Sequence, residues 1–234
     1  VTDEPIWDRP EPAGGGPTLS RAHIVRTAVA IADAEGTEAL TMRRIASELG
    51  SSTPMSLYRY VGNKDGLVDL VLDDIYGRIQ LPAKRPGDWR ATLRTLAKAS
   101  FAVMLEHPWF AALSHTRPPF GPNALRRIDF GLSAFAGLEL PPGTAMSYFS
   151  LVDGLCLGTA LQIGEELKMR RRIGVTDEDQ LRQLAGPMRE RSLARGSFPH
   201  YAAWMAAGAE WDSRVDFDFM LDCLLDGLAA RLPT

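Results

Sequence analysis

The chain has 234 residues, 45% of them hydrophobic and 24% charged, with a formal net charge of −3. That is a globular composition, long enough for one large domain or for a small one joined to a larger one. Two distant cysteines, Cys156 and Cys223, with no CxxC spacing, read as buried thiols in a reducing cytosol. Every apolar run is interrupted by Arg, Lys, Asp or Gly before the roughly 20 residues of a membrane span, so a soluble, cytoplasmic protein with no membrane partner is expected.

From the N-terminus, residues 1–19 are rich in Pro and Gly and lack helical periodicity, which predicts a flexible arm. Gly14, Gly15 and Gly16 have no preceding strand and no following Gly-Lys-Ser/Thr, so they read as linker rather than phosphate loop. Arg9 is the arm residue with the chemistry to reach a minor groove. Ser20 is placed to cap a helix over residues 20–35, with Ile24, Val25, Ala28, Val29, Ile31 and Ala32 on its buried side and Gly36 ending it. Residues 42–49 repeat Met42, Ile45, Ala46 and Leu49 at helical spacing, with Arg43, Arg44, Ser47 and Glu48 opposite, and Gly50 stops them.

After Ser51 and Ser52, Thr53 is a natural N-cap and Pro54 suits the first helical position, so a second short helix spans residues 54–61. This is a helix-turn-helix within a three-helix domain over residues 20–66. Its second helix presents Thr53, Met55, Ser56, Tyr58, Arg59 and Tyr60, groups that meet phosphates and base edges, and it suits a major groove of double-stranded DNA. Residues 20–64 hold six Lys/Arg against four acids, so the basic end sits on an acidic body.

A long amphipathic helix over residues 65–79 links reader to body, and Pro82, Pro86 and Gly87 then break the chain. Residues 67–234 read as a second, all-helical domain without strand alternation. Its predicted helices cover residues 89–106, 109–115, 123–137, 142–170 and 215–232, with a charged, mobile crossover over 171–200 that holds a short helix at 178–185. Gly154, Gly158 and Gly164 permit close helix approach. The 142–170 and 215–232 helices, paired with their copies in a second subunit, make a four-helix bundle through Leu157, Leu161, Phe217, Leu221, Leu224 and Leu228.

The candidate cavity lining is Phe101, Met104, Trp109, Phe110, Phe120 and Phe149, with His115, Thr116 and Glu165 as polar members, suited to a small, largely apolar molecule; core packing is the competing reading for most of the aromatics. There is no HExxH, GxSxG, phosphate loop or spaced Cys/His pair, so no enzyme, cofactor or metal site is expected.

Gly36, Thr41, Arg43, Ile45, Ala46, Leu49, Gly50, Leu57, Tyr58, Tyr60 and Lys64 resemble the DNA-binding signature of the tetracycline-repressor family of bacterial transcription regulators. A looser likeness continues through Trp89, Leu93, Phe101, Thr116-Arg117-Pro118, Leu157-Gly158, Leu161, Glu165, Phe217, Phe219, Leu221, Gly227 and Leu228, and so covers nearly the whole chain. The resemblance implies an all-α homodimer whose effector changes the separation of two reading heads. It implies phosphate contacts for Thr41, Tyr58, Tyr60 and Lys64, and a guanine edge for Arg43, roles that the chemistry of helix N-termini and of Arg supports separately. The turn at 50–57 is one residue longer than the family's, and Tyr60 stands where the family often has His. His115 lies two positions beyond Leu113, where tetracycline repressors carry a magnesium-binding His, so tetracycline-magnesium binding is not carried over. A helical small-molecule-binding protein without specific DNA recognition is the alternative.

Overall fold

Ser20 Oγ accepts from His23 N at 3.1 Å and starts the first helix, α1 (Arg21–Glu35), which turns its Ile24, Val25, Ala28 and Ile31 side inward. In the computed structural model, residues 4–12, 19–50, 53–207 and 216–233 are described, apart from the side chains at 178, 179 and 182. A single 3-10 turn, Thr37–Ala39, leads to α2 (Met42–Glu48), and α3 (Pro54–Val61) follows with Pro54 in its first turn. Asn63 Oδ1 then accepts from Gly66 N at 2.8 Å and caps α4 (Lys64–Arg78). The body consists of α5 (Trp89–Glu106), α6 (Phe110–Ser114), α7 (Pro122–Ser133), α8 (Pro142–Ile173), α9 (Glu178–Leu193), α10 (Pro199–Ala206) and α11 (Phe217–Ala229). No strand occurs among the described residues, as an all-α reading requires.

One apolar core runs from Ile24 in α1 to Leu228 in α11. Helix α4 sits at its centre, packing on α1 and α3 at one end and on α6 and α7 at the other. Helix α5 lies along α8, and α11 closes the other side. Three ion pairs fix α11 antiparallel to α5: Lys98 with Asp218 at 2.8 Å, Arg94 with Asp222, and Arg90 with Asp226 at 2.6 Å. Each helix supplies one partner every four residues, the spacing that keeps side chains on one face.

Several boundaries differ from expectation. The part of the N-terminal arm at residues 4–12 is docked rather than flexible: Ile6 is buried, Arg21 N donates to Glu11 Oε1 at 2.6 Å, and Arg21 Nη2 donates to the Arg9 carbonyl at 3.2 Å. The pocket for Ile6 exists because Gly62 and Gly66 lack side chains there; a Cβ on Gly66 would stand 3.5 Å from Ile6 Cγ1 and only 2.2 Å from the Val61 carbonyl oxygen. Gly14, Gly15 and Gly16 lie outside the described residues, as do Ser51, Ser52 and Val215.

Helix α7 stops at Ser133 instead of residue 137. Helix α8 continues to Ile173, where Gly174 at φ 69° supplies the left-handed cap. Helix α9 is 16 residues rather than 8, since Asp177 caps it through Gln180 N at 2.8 Å and Gln180 Oε1 accepts from Thr176 N at 3.0 Å. Helix α10 begins at the end of the stretch read as crossover and buries no residue. The expectation that every apolar run is too short also needs correcting. Within α8 an 18-residue window reaches a mean hydropathy of 1.2, and only 28% of it is buried within the chain.

Candidate nucleic-acid interface and the joint behind it

Thr41 caps α2, its Oγ1 accepting from Arg44 N at 3.2 Å, and it remains exposed at the helix N-terminus, where unpaired N–H groups favour an anion. Arg43 and Arg44 point to different tasks. Arg44 is bound by Glu35 at 2.7 Å and Glu48 at 2.8 Å, contacts that raise its already high pKa and hold the Glu35 carboxyl below the usual range, chiefly through the hydrogen bond between them. Arg43 is exposed and has no ion pair among the described residues, so its planar fork is available for a base edge.

On α3, Met55 is 72% exposed and Tyr58 38%, with Thr53 and Arg59 beside them. Ser56 is half-buried, its hydroxyl donating to the Thr53 carbonyl at 2.7 Å, while Thr53 precedes the helix without making a side-chain cap bond. Lys64 is exposed in the first turn of α4. Thr41, Arg43, Thr53, Met55, Tyr58, Arg59 and Lys64 therefore all reach solvent on the helix-turn-helix and the start of α4. Tyr60 does not join them. It is 4% exposed, because the helical period of α3 places residues 57, 60 and 61 on the inner face, and its carbonyl accepts from Arg21 Nε at 3.1 Å.

Behind this surface α4 is tied to the body by a ladder of carboxylates. Asp69 takes Arg117 Nε and Nη2 at 2.7 and 2.8 Å, and Asp65 lies 3.2 Å from the same guanidinium. Asp73 is buried and accepts from Asn123 N at 2.9 Å, Asn123 Nδ2 at 2.9 Å and Ala124 N at 3.0 Å, so a residue of α4 satisfies the open N-terminus of α7. A Cβ on Gly121 would come within 2.2 Å of Asp73 Oδ1. A second tie joins α1 to the end of α5. Asp33 Oδ1 accepts from Trp109 Nε1 at 2.6 Å and faces buried His107 Nδ1 at 2.7 Å, and Arg78 Nη1 approaches His107 Nε2 at 3.2 Å. A guanidinium only donates, so Nε2 accepts and the ring proton sits on Nδ1 toward Asp33. None of these joint residues was singled out for such a role from the sequence. The signal was present in the Asp65, Asp69, Asp73 repeat, a row of acids at four-residue spacing on a helix whose neighbouring positions are apolar.

The expected effector residues do not form one pocket. Phe101 stacks on Phe217 with ring centroids 3.8 Å apart, Met104 is buried, and Phe110 meets Tyr76 edge-on at 5.0 Å. Trp109 is buried at the Asp33 joint, and Phe149 is buried against Gly131, where an added Cβ would clash with its ring at 2.4 Å. These five are core. His115 and Thr116 are exposed, Thr116 Oγ1 donating to the Leu113 carbonyl at 2.7 Å, and Glu165 pairs on the surface with Lys168 at 3.0 Å. Phe120, 62% exposed, alone lines a cleft, together with Trp7, Leu72, Tyr76, Arg117, Pro118 and Pro119.

Deeper lies Arg127, 3% exposed, whose Nε donates to Ser100 Oγ at 3.0 Å and whose Nη2 donates to Asp153 Oδ1 at 2.5 Å. Its guanidinium carbon is 5.8 Å from the Tyr76 ring centroid and 5.7 Å from that of Phe149. Burial pushes the Tyr76 phenol up to about 12, and the Cys156 thiol likewise up to about 12.

The expected subunit interface is also split. Phe217, Leu221 and Leu228 are buried in the chain's own core, while Leu157, Leu161 and Leu224 are half-buried. The opposite face of α11 carries Phe219, 69% exposed, and Cys223, which is exposed rather than buried. On α8, Leu151 is 50% exposed, and an added Cβ on Gly154 or Gly158 would meet open space.

Comparison with known proteins covers both halves. The family described as "Bacterial regulatory proteins, tetR family" matches residues 24–71, and "Tetracyclin repressor-like, C-terminal domain" matches residues 81–232. A relative from Streptomyces coeruleorubidus, the HTH-type transcriptional repressor DrrR1, is 39% identical over 97% of this chain and 84% of its own length. An HTH-type transcriptional regulator from Saccharopolyspora erythraea is 32% identical over 96% of this chain and 91% of its own. The crystal structure of Streptomyces coelicolor ActR in complex with (S)-DNPA superposes with a TM-score of 0.73 at 28% identity, covering 92% of this chain and 99% of that one.

Proposed function

We propose how a chain that belongs to the tetR family of bacterial regulatory proteins, and is thus a helix-turn-helix transcriptional regulator, carries out repression. Two copies bind a near-palindromic double-stranded operator, with α3 of each in a major groove and the two heads about 34 to 36 Å apart. Thr41, Tyr58 and Lys64 hold phosphates and fix the register. Arg43 reads a guanine edge, and Thr53, Met55, Ser56 and Arg59 shape the remaining contacts. The observation that carries this reading is the exposed row from Thr41 to Lys64, set on helices whose inner faces are fully packed.

The homodimer forms through the outer faces of α8 and α11, the apolar surface that includes Leu151, Gly154, Gly158 and Phe219. This assigns the apolar window of α8 to a partner helix rather than to lipid, in a protein of the cytoplasm. The reading head spans residues 20–66 and the effector and dimerisation domain residues 67–234, with α4 shared between them.

Release works by population shift: the effector binds a form in which α4 has moved, and it weakens DNA binding by its preference for that form. The Asp69–Arg117 and Asp73–Asn123 bonds make α4 follow the body, and Lys64 at its first turn follows α4. The test is a band shift with the DNA upstream of the protein's own gene, run with excess competitor at physiological salt. Saturable, competitor-resistant binding by a dimer is expected. Its absence leaves a helical small-molecule-binding protein without specific DNA recognition.

A further inference from the structure

Helices α3 and α4 are joined by Gly62 and Asn63 alone, and the groups assigned to phosphates lie on both sides of this link, Tyr58 on α3 and Lys64 on α4. Gly62 sits at φ 74°. Glycine reaches that region and negative φ with nearly equal ease, so Gly62 by itself does not fix the angle between the two helices. Residues 4–12 lie against the link. Ile6 is 6% exposed, and a Cβ on Gly62 would stand 3.7 Å from Ile6 Cδ1 and 3.1 Å from Arg9 Nη1. Arg21 of α1 extends the contact, its Nη2 donating to the Arg9 carbonyl at 3.2 Å and its Nε to the Tyr60 carbonyl at 3.1 Å. Trp7 reaches further along α4, into a cleft with Leu72, Tyr76 and the loop at Pro118, Pro119 and Phe120 that has room for about one water molecule. Pro5, Pro10 and Pro12 restrict the segment before it docks, which lowers the entropy lost on docking.

We propose that residues 4–12 are a brace of the DNA-reading head: Ile6 fills the notch at Gly62 and Gly66 and holds α3 and α4 at one angle, and Trp7 secures the same segment against the body. The segment carries Glu4, Asp8 and Glu11 against Arg9 alone, so its contribution is to geometry and not to phosphate charge. A head that samples other angles binds operator with an affinity reduced by the fraction in the competent arrangement. The number of phosphates neutralised in the complex stays the same, and with it the salt dependence. Ile6 is thus a positioning residue for Tyr58 and Lys64, acting through the link between their helices. The consequence for DNA rests on the regulator reading; the bracing of the link does not.

The experiment compares the full chain with Ile6→Ala and Ile6→Val, first without DNA. Amide hydrogen exchange is followed over residues 62–67, where Gly62 N donates to the Tyr58 carbonyl at 2.8 Å and Gly66 N to Asn63 Oδ1 at 2.8 Å. Ile6→Ala should speed exchange there by about tenfold and leave α8 unaffected, as expected of a local opening. Ile6→Val, which keeps the branched contact, should recover most of the protection and serves if the Ala variant does not fold. Unchanged exchange at the link, or the same acceleration throughout the chain, overturns the brace. Operator titrations over a range of salt concentrations follow. Ile6→Ala should raise Kd about tenfold, the result of a competent population of about one in ten, at an unchanged salt slope. Unchanged or tighter binding by the folded variant overturns the positioning role, and a slope smaller by about one means that Arg9 met a phosphate directly, which also overturns it. If the unmodified protein binds no operator, the regulator mechanism fails and the exchange data alone decide the brace.

Discussion

Arg43 and Tyr60 show how differently two neighbours of one motif are used. Arg43 is exposed and unpaired among the described residues, whereas Tyr60 is part of the core. Arg43→Ala should therefore cost about 1 to 3 kcal/mol of operator binding and relax specificity at one base pair, while Lys64→Ala weakens all duplexes alike and flattens the salt slope by about one. Anisotropy titrations against single-base operator variants at several salt concentrations separate these outcomes. Tyr58→Phe is expected to weaken DNA binding. Tyr60→Phe should leave it unchanged, and a loss comparable to that of Tyr58→Phe would mean that Tyr60 turns outward on DNA.

Cys156 and Tyr76 make a prediction about alkaline stability. Both are neutral in the fold, and burial raises the thiol from 9.0 and the phenol from 10.0 to about 12 each. The unfolded chain therefore loses these protons first as pH rises. The stabilisation is complete below pH 9 and is lost between the ordinary values and about 12. Melting temperatures should fall over that window, and Cys156→Ala with Tyr76→Phe should flatten the decline.

Among the elements, α4 holds the decisive position, because its apolar side closes the core while its acids bind two other elements. Asp73→Ala leaves the N–H groups of Asn123 and Ala124 without their acceptor. The expected cost is about 1 to 3 kcal/mol for a buried group left unsatisfied, read as a lower midpoint in urea. A variant with wild-type stability would show that Asp73 does not anchor α7. Helix α3 illustrates how a short amphipathic element divides its residues, with Leu57, Tyr60 and Val61 inward and Met55, Tyr58 and Arg59 outward. The same geometry governs α11, where Phe217, Leu221, Leu225 and Leu228 serve the chain's own core and Phe219 and Cys223 face away.

At the scale of the molecule, the two faces of α11 predict opposite failures. Phe219→Arg together with Leu151→Arg should give a folded monomer by sedimentation that no longer binds operator. Leu221→Ala should lower stability by about 2 to 5 kcal/mol through a core cavity and leave the fully folded fraction dimeric. A double arginine variant that remains a dimer would place the interface elsewhere.

The sequence by itself determined the all-α class, the helix-turn-helix and its family, because capping residues, helical periodicity and a short motif are local properties that residues express within a few turns. The exposed placement of Thr41, Arg43, Tyr58 and Lys64 was readable for that reason. It did not determine which apolar residues serve the core, a pocket or a partner. Phe101, Phe110, Phe217 and Leu221 have the same chemistry in any of those roles, and only the packing of α5, α8 and α11 assigned them to the core. Nor could it place Ile6 and Trp7, which lie in a Pro- and Gly-rich stretch without periodicity and are held by the space left at Gly62 and Gly66 and by the cleft beside α4. Contacts between residues far apart in the chain, such as Arg127 with Ser100 at 27 positions, Asp33 with Trp109 at 76 and Arg90 with Asp226 at 136, have no local signature, and the tertiary structure alone decided them.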